Sequence, residues 1–418
     1  MTNDGWPAVV AENFTPIKMN YPKMMVMACV VATSAWAQAP ARPSAEAWIE
    51  RATRMSREAE AKGLAEAFRG ITTNGKAEPG LFPIRATGVS TEPVRAAATA
   101  WLGTLSAEQK QAAVFPVGDD EWRKWMNQHF YRRQGVSFQE MDAGQRTAAF
   151  GLMKAALSAK GLKLSQDIMK LNHTLGELSG DDFVQYGEWL YWITVMGEPS
   201  ATEPWGFQVD GHHLILNYFV LGDQVVMSPV FVGSEPVVAP SGKYQGLAIL
   251  QEEQAKGFAF FRSLDATQRA KAVLPGSKTG NNTLTEAFKD NVVLDYAGVR
   301  ATDLAAAQRE KLVELIALFV ENMDDGHAKV KMDEVRAKLD RTYFAWLGAD
   351  AEGGVFYFRI HSPVVLIEFD HQRPANLKHM AKDPQAPNRQ HIHVVVRTPN
   401  GNDYGKDLLR QHLLAHPH

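Results

Sequence analysis

Cysteine is almost absent from this sequence: its 418 residues include one, Cys29. Cys29 lies in an apolar run near the start of the chain, where we expect it to be removed with a signal peptide. A mature chain without a thiol has no disulfide framework, no cysteine nucleophile and no thiolate metal site. Any metal site would therefore use histidine and carboxylate ligands.

The sequence also lacks an excess of basic residues, since 44 Lys and Arg against 47 Asp and Glu give a formal net charge of −3. Proteins that depend on phosphate contacts usually carry a basic excess or a basic stripe, and neither is found here. Nucleic acid and membrane surfaces are therefore not expected as partners, and a small-molecule substrate or ligand is. The oligomeric state is not indicated.

Long hydrophobic runs are also scarce, and the one near the start, Met24 to Ala37, is too short to span a bilayer. Basic residues precede it and Ala37-Gln38-Ala39 closes it, which is typical of a secretory signal cleaved after Ala39. We expect residues 1–39 to be a signal peptide with an over-extended start, and the protein to be periplasmic or secreted. A lipoprotein attached through Cys29 is the alternative.

The rest of the chain is interpreted as a single α+β domain, residues 40–418. Helical periodicity covers residues 40–200, a β-meander covers residues 201–240, and helical periodicity returns over residues 241–345. Residues 346–418 predict a β-hairpin and a closing helix. Because neither β segment is large enough for a stable sheet alone, we expect both to form one central, mostly antiparallel sheet packed with the helical segments.

A short phrase recurs in the helical segments, at residues 105–116 (LSAEQKQAAVFP) and 264–275 (LDATQRAKAVLP), with weaker echoes from Asp142 and Asp303. Each combines a helix-capping Ser or Asp with an amphipathic turn, and the two full phrases end in proline. Because the intervening segments do not align, we interpret the phrase as recurrent capping rather than as a duplication.

The most specific candidate site lies on two C-terminal strands. Glu368 and Asp370 share one face of the first strand, and His391 and His393 share one face of the second. If Asp370 pairs with His391 and Glu368 with His393, all four side chains converge at one end of an antiparallel hairpin. Two carboxylates and two imidazoles form a good ligand set for a divalent metal. Alternatively, the site is a polar hairpin end in which Arg397 supplies the positive charge.

A second candidate is the adjacent pair His212 and His213, on a strand predicted to run from His212 to Val220 after an Asp210-Gly211 turn. Either histidine would complete a three-histidine site with the H-x-H pair. Alternation predicts that His213 shares a polar face with Asn217 and that His212 is buried, but which of the two points into the site stays open.

A third candidate is Tyr404, in the phrase NDYGKDLL (402–409) ahead of the closing helix. Asn402 or Asp403 is placed to cap that helix, which leaves Tyr404 free to reach the neighbouring H-x-H strand. The sequence contains no nucleophile elbow, phosphate-binding loop, dinucleotide-binding glycine motif or HExxH motif.

The order of several phrases resembles the family known as domain of unknown function 3500; they are PWGF (204–207), GHHL (211–214), LIEFD (366–370), HIH (391–393) and DYG (403–405). The resemblance runs from about Ala97 to His412. It implies an exported protein of bacterial or fungal type. It does not assign an activity to the chain. The sequence departs from the family pattern at Ile215, where a small polar residue is expected, and in the loop between Asp370 and His391, which is longer than usual.

Together these features predict an exported, metal-dependent hydrolase or oxidoreductase that acts on a small substrate. The expected metal ligands are His391, His393 and one of His212 and His213, and the catalytic candidates are Glu368, Asp370, Tyr404 and Arg397. The expected cofactor is a divalent zinc, copper, iron or manganese ion. The alternative function is a non-catalytic periplasmic binding protein that uses the same polar face.

Overall fold

The computed structural model describes residues 44–416, so the expected signal peptide and its cleavage site lie outside the described residues. Within this range no helix is both long and apolar enough to span a bilayer. The helices are α1 Ala45–Gly63, α2 Glu92–Thr104, α3 Ala107–Ala113, α4 Ala143–Ala156, α5 Ala159–Leu178, α6 Gln251–Arg262, α7 Ala266–Ala272, α8 Ala306–Val320, α9 Asp325–Ala337 and α10 Lys406–Ala415.

The described strands form one mixed, mostly antiparallel sheet in the order β1-β3-β4-β5-β6-β11-β10-β9-β8-β7, with β2 paired to β3 beside this path. The α+β class is therefore confirmed. The strands are β1 Val114–Phe115, β2 Val136–Ser137, β3 Tyr191–Met196, β4 Trp205–Gly211, β5 Leu214–Leu221, β6 Gln224–Ser234, β7 Val299–Arg300, β8 Tyr343–Gly348, β9 Phe356–His361, β10 Leu366–His371 and β11 Ile392–Arg397.

The two β segments of the sequence join where β6 pairs antiparallel with β11, which confirms that they share one sheet. Several parts of the sheet differ from the prediction. β1, β2 and β3 lie inside the first segment interpreted as helical (40–200), and β7 lies inside the second (241–345). The β-branched run Ile193-Thr194-Val195 accounts for β3. The predicted C-terminal hairpin is β10 and β11, to which the structure adds β8 and β9.

The sheet consists of two halves with the same order of elements. In the first half α2, α3, β1, β2, α4 and α5 precede β3 to β6, and in the second half α6, α7, β7, α8 and α9 precede β8 to β11. In the second half, Val273 takes the place of β1. Val273 forms a parallel bridge to Trp346 in β8, just as β1 pairs in parallel with β3. β2 and β7 pair antiparallel with β3 and β8.

The recurring phrases make equivalent contacts in the two halves. Gln109 and Gln145 exchange amide hydrogen bonds, the shorter one 2.8 Å long, and Gln268 and Gln308 do the same. Capping boxes are present as expected. At the fourth phrase Asp303 does not cap the helix, because the N-cap of α8 is Ala305. The phrases therefore act as recurrent capping signals at three helices, and they occupy equivalent places in the order of elements of the two halves.

Buried apolar side chains from both halves form one continuous core cluster, which includes Trp101 and Trp205 from the first half and Trp346 from the second. All seven residues of β4 and all six of β11 are buried. Because the sheet is covered, its polar side chains lie in the interior or in cavities, where they need partners. The candidate site is built from such side chains.

Candidate metal centre

The two adjacent histidines form the turn between β4 and β5. Gly211 pairs with Leu214, so the predicted turn at Asp210-Gly211 and the predicted strand start at His212 are each wrong by two residues. His213 has a φ of 64°, a conformation that residues other than glycine seldom adopt. Its backbone N–H donates to the Asn127 carbonyl at 3.2 Å, and its carbonyl accepts from Gly233 at 2.9 Å.

The Nε2 atoms of His213, His391 and His393 converge on one point. The Nε2–Nε2 distance is 3.0 Å between His391 and His393, 3.2 Å between His213 and His393, and 3.3 Å between His213 and His391. Gly233 of β6 lies between the two chain segments that carry them. A Cβ atom there would lie 2.4 Å from the Ile392 carbonyl oxygen and 3.3 Å from the His213 ring, so the close approach requires glycine.

Hydrogen bonds at the far side of two rings fix where their protons lie. His391 Nδ1 donates to the Arg373 carbonyl at 2.6 Å, and His393 Nδ1 donates to the Glu286 carboxylate at 2.6 Å. Each neutral ring therefore presents an Nε2 lone pair at the shared point. Burial, together with the neighbouring imidazoles, lowers the pKa of His213 and His393 well below its ordinary range, so a proton does not readily settle between the rings.

The spacing of these three nitrogens fits a metal ion. Nitrogen ligands lie about 2.05 Å from zinc, and tetrahedral angles then place them about 3.3 Å from one another. Two lone pairs that face each other at 3.0 Å repel unless a cation lies between them. Other divalent ions that bind imidazole need a similar spacing of their nitrogen ligands. The buried cluster of His213, His391 and His393 can therefore hold a metal ion.

His212 does not share this arrangement. Its Nδ1 atom lies 2.8 Å from the Asn172 side-chain oxygen, and its ring stacks on the His213 ring with 4.0 Å between centroids. Of the two histidines that the sequence left open, it is His213 that joins the cluster, and it does so from a turn and not from the predicted strand face.

A cavity of about 220 Å³ adjoins the three Nε2 atoms. Glu286, which the sequence analysis did not single out, lies in its wall and accepts from His393. Burial raises the pKa of Glu286 to about 7. The other lining residues are Asn127, Gln128, His129, His212, His213, Asn281, Gln372, Ala375, Asn376, His391 and His393.

The family model described as "Protein of unknown function (DUF3500)" matches residues 87–406. The chain belongs to this family. The resemblance noted in the sequence is thereby confirmed, with boundaries about ten residues earlier at the start and six earlier at the end. No curated protein and no solved structure matches the chain. The three cluster histidines and Glu286 all lie within the DUF3500 match.

The pairing of β10 and β11 corrects the drawn register. Asp370 pairs with His393 and Glu368 with Val395, two residues from the expected pairs of Asp370 with His391 and Glu368 with His393. Because the offset is two, the carboxylates and histidines keep the same face of the sheet. Neither carboxylate belongs to the cluster of candidate ligand atoms among the described residues.

Glu368 instead binds residues 278–290, which we call the cover segment. It accepts hydrogen bonds from the Thr285 hydroxyl at 2.5 Å, the Thr285 N–H at 2.9 Å and the Leu284 N–H at 3.0 Å. The Tyr357 hydroxyl donates at 2.6 Å to Oε1, the oxygen that also accepts from Leu284. Burial raises its pKa above the usual range, and these donors oppose that shift.

Asp370 binds the start of the same segment. Lys278 Nζ lies 2.9 Å from Asp370 Oδ1, and the Asn282 N–H and the Gln372 amide each donate to Oδ2 at 2.6 Å. Burial raises the pKa of Asp370 to about 6, against the opposing effect of Lys278. The two carboxylates on β10 thus anchor the segment that carries Glu286.

Arg397 and Tyr404 hold the end of the cover segment. Arg397 donates to the Thr285 and Glu286 carbonyls and pairs with Asp290 at 2.8 Å. The Tyr404 hydroxyl donates to Asp290 at 2.9 Å and accepts from Trp125 Nε1 at 2.8 Å. Neither Arg397 nor Tyr404 lines the cavity, so these two catalytic candidates lie outside the histidine site.

Proposed function

We propose that the protein is an exported metalloenzyme in which His213, His391 and His393 bind a divalent ion at the wall of the cavity. The observation that carries the proposal is the convergence of three Nε2 atoms within 3.3 Å of one another, with the protons of two rings held at Nδ1. Such an arrangement has no stabilising purpose of its own, since it buries opposed lone pairs.

Three protein ligands leave a coordination position open, which is characteristic of catalytic rather than structural sites. A bound divalent ion would acidify a water molecule for hydrolysis or activate oxygen for oxidation. The histidine ligands suit zinc, copper and iron, so the reaction class is set by the metal that the protein carries.

Glu286 takes the role that the sequence analysis gave to Glu368 or Asp370. Its carboxylate orients His393 and also borders the cavity, where it can accept a proton from a bound group. Glu368 and Asp370 are positioning residues, because their contacts hold the cover segment that presents Glu286.

Elemental analysis of the purified protein, followed by zinc titration of chelator-treated protein, tests the proposal. We expect one equivalent of a divalent metal, and His393→Ala to weaken zinc binding by orders of magnitude. His212→Ala is the matched control, because His212 is an equally buried neighbour that contacts Asn172. Circular dichroism should show that both variants fold.

Absence of any bound divalent metal, or equal zinc binding by His393→Ala and wild type, would contradict the proposal. Small-molecule binding by the metal-free protein would then favour the non-catalytic binding protein. Export is tested separately by amino-terminal sequencing of the protein from a periplasmic fraction. We expect a start at or near Pro40, and Met1 retained on a cytoplasmic protein would contradict export.

A further inference from the structure

Five of the twelve residues that line the cavity beside the three histidines carry carboxamide side chains, and five more are histidines. No lysine or arginine of the described residues lines it, and Glu286 is its one acidic group. The amides are Asn127, Gln128, Asn281, Gln372 and Asn376. From this wall we infer that the substrate is a neutral, hydroxyl-rich small molecule of the sugar or polyol class, an inference that rests on the proposed metal site.

The chemistry of the wall matches hydroxyl groups. A carboxamide offers both donors and acceptors, as a hydroxyl group does, so the two can exchange hydrogen bonds in several arrangements. An anionic substrate group would lose its hydration in the cavity without meeting a cationic side chain, so the metal would be its one positive partner there. A bound divalent ion would attract an anionic group unless nearby negative charges offset its positive charge.

Two carboxylates balance the charge of a divalent ion at this site. Glu286 accepts from His393 Nδ1 at 2.6 Å, and Glu235 lies 3.9 Å from His391 Nδ1. Glu235 is buried and fixed by the backbone N–H groups of residues 375–377. Both carboxyl groups thus lie beside the rings of the proposed ligands, where they would oppose the approach of an anionic substrate group.

Asn127 lines this cavity, and its amide lies beside Glu286. Its Nδ2 atom is buried and makes no hydrogen bond within 3.5 Å, although the amide lies near enough to Glu286 to lower the pKa of that carboxyl. Buried polar groups rarely lack a partner, and those that do commonly meet a ligand or an ordered water. Asn127 is therefore the side chain placed to donate to a substrate oxygen.

A second cavity, of about 280 Å³, shares the lining residues His129 and His212 with the first. Trp48 stacks on His129 with 5.5 Å between ring centroids, and Trp192 also lines this cavity. Its charged lining residues are Arg132, Arg133 and Glu140, of which Arg133 pairs with Asp210 at 3.0 Å. Burial lowers the pKa of His129 to about 4, so its ring is neutral. The flat rings of Trp48, His129 and Trp192 suit the apolar faces of a sugar ring.

Ligand-observed NMR and calorimetry on zinc-loaded wild-type protein test the inference with matched sugars. The neutral probes are glucose, N-acetylglucosamine and myo-inositol, and the charged probes are glucuronate, glucosamine and glucose 6-phosphate. We expect at least one neutral probe to bind about tenfold more tightly than any charged one. Asn127→Ala should weaken its binding about three- to tenfold, the effect of one hydrogen bond.

Gln128→Ala, at an exposed position of the wall, is a second variant that does not depend on refolding of the interior, and it should weaken the same probe. Gln245→Ala, an exposed amide that lines neither cavity, is the control and should bind as wild type does. Failure to bind zinc would contradict the proposed function itself. Zinc binding with no sugar binding, or with tighter binding of a charged probe, would overturn only the substrate class.

Discussion

Lys278 and Asp370 form an ion pair, with 2.9 Å between Nζ and Oδ1, in which both side chains are almost completely buried. Removal of one partner from a buried pair leaves the other charge without compensation. We predict that Lys278→Met lowers the free energy of unfolding by about 3 kcal/mol at pH 8. The loss should be smaller at pH 5, because Asp370 can then take up a proton in the variant.

Urea unfolding at the two pH values measures this effect. Lys329→Met is the matched control, since Lys329 forms an exposed pair with Asp333 at 2.8 Å and should change stability by less than about 1 kcal/mol. Equal losses in the two variants would show that the buried pair does not anchor the cover segment.

Replacement of Glu286 should weaken metal binding without abolishing it. The carboxylate holds the proton of His393 at Nδ1 and raises the basicity of its Nε2, and such supporting groups are worth about 10- to 100-fold in metal affinity. We expect that loss for Glu286→Ala and a smaller one for Glu286→Gln, which keeps an acceptor oxygen. Zinc titration against a competing chelator measures both, and unchanged affinity in Glu286→Ala would exclude the supporting role.

Glu121 should make stability depend on pH near neutrality. Its side chain is buried, and burial raises its pKa to about 7 against the opposing effect of Lys124. Because the folded-state pKa exceeds the ordinary value, its contribution is fully present below about pH 4.5 and is lost as the pH rises through 7. The wild-type free energy of unfolding should therefore fall over this range, relative to Glu121→Gln, by at most about 3 kcal/mol. A difference between the two proteins that does not change with pH would refute the assignment.

Gly135 and Gly298 stand before the equivalent strands β2 and β7, with φ values of 91° and 99°. A Cβ atom would lie 2.3 Å from the Ile193 carbonyl oxygen at the first site and 2.0 Å from the Phe344 carbonyl oxygen at the second. Alanine at either site should cost at least about 2 kcal/mol, since an unfavourable backbone conformation and a backbone clash add.

Gly103 in α2 supplies the matched control for these two variants, because a Cβ atom there meets nothing within 4 Å. Gly103→Ala should be neutral or stabilising by up to about 1 kcal/mol. Thermal or urea unfolding of the three variants measures the contrast, which must be present at both strand positions if the two halves are equivalent.

The sequence was sufficient to predict that β10 and β11 pair antiparallel. It was also sufficient to predict that the H-x-H motif clusters with one of the two adjacent histidines. The register was wrong because the connecting loop is long, and only short hairpin loops fix the register through turn type. Here the register is set by tertiary contacts, such as Glu235 with the N–H groups of residues 375–377.

The position of His213 in a turn could not be read from local preferences. Asp-Gly is a much commoner turn pair than His-His, and a histidine with a φ of 64° is held there by surrounding structure, including the Asn127 and Gly233 hydrogen bonds. Glu286 was missed because residues 241–345 were interpreted as helical, whereas the cover segment has neither helix nor strand. The available signal was its length, since long stretches without helix or strand are often functional.

The two-halved sheet has a consequence for the integrity of the candidate site. His213 belongs to the first half, whereas His391, His393 and Glu286 belong to the second. In the second half the turn equivalent to His212-His213 lies between β9 and β10 and is Ser362-Pro363-Val364-Val365, which contains no histidine. Neither half alone carries the three histidines, so the candidate centre exists only where a turn of the first half meets a strand of the second. Any change that loosens the pairing of β6 with β11 would therefore also separate the three ligands.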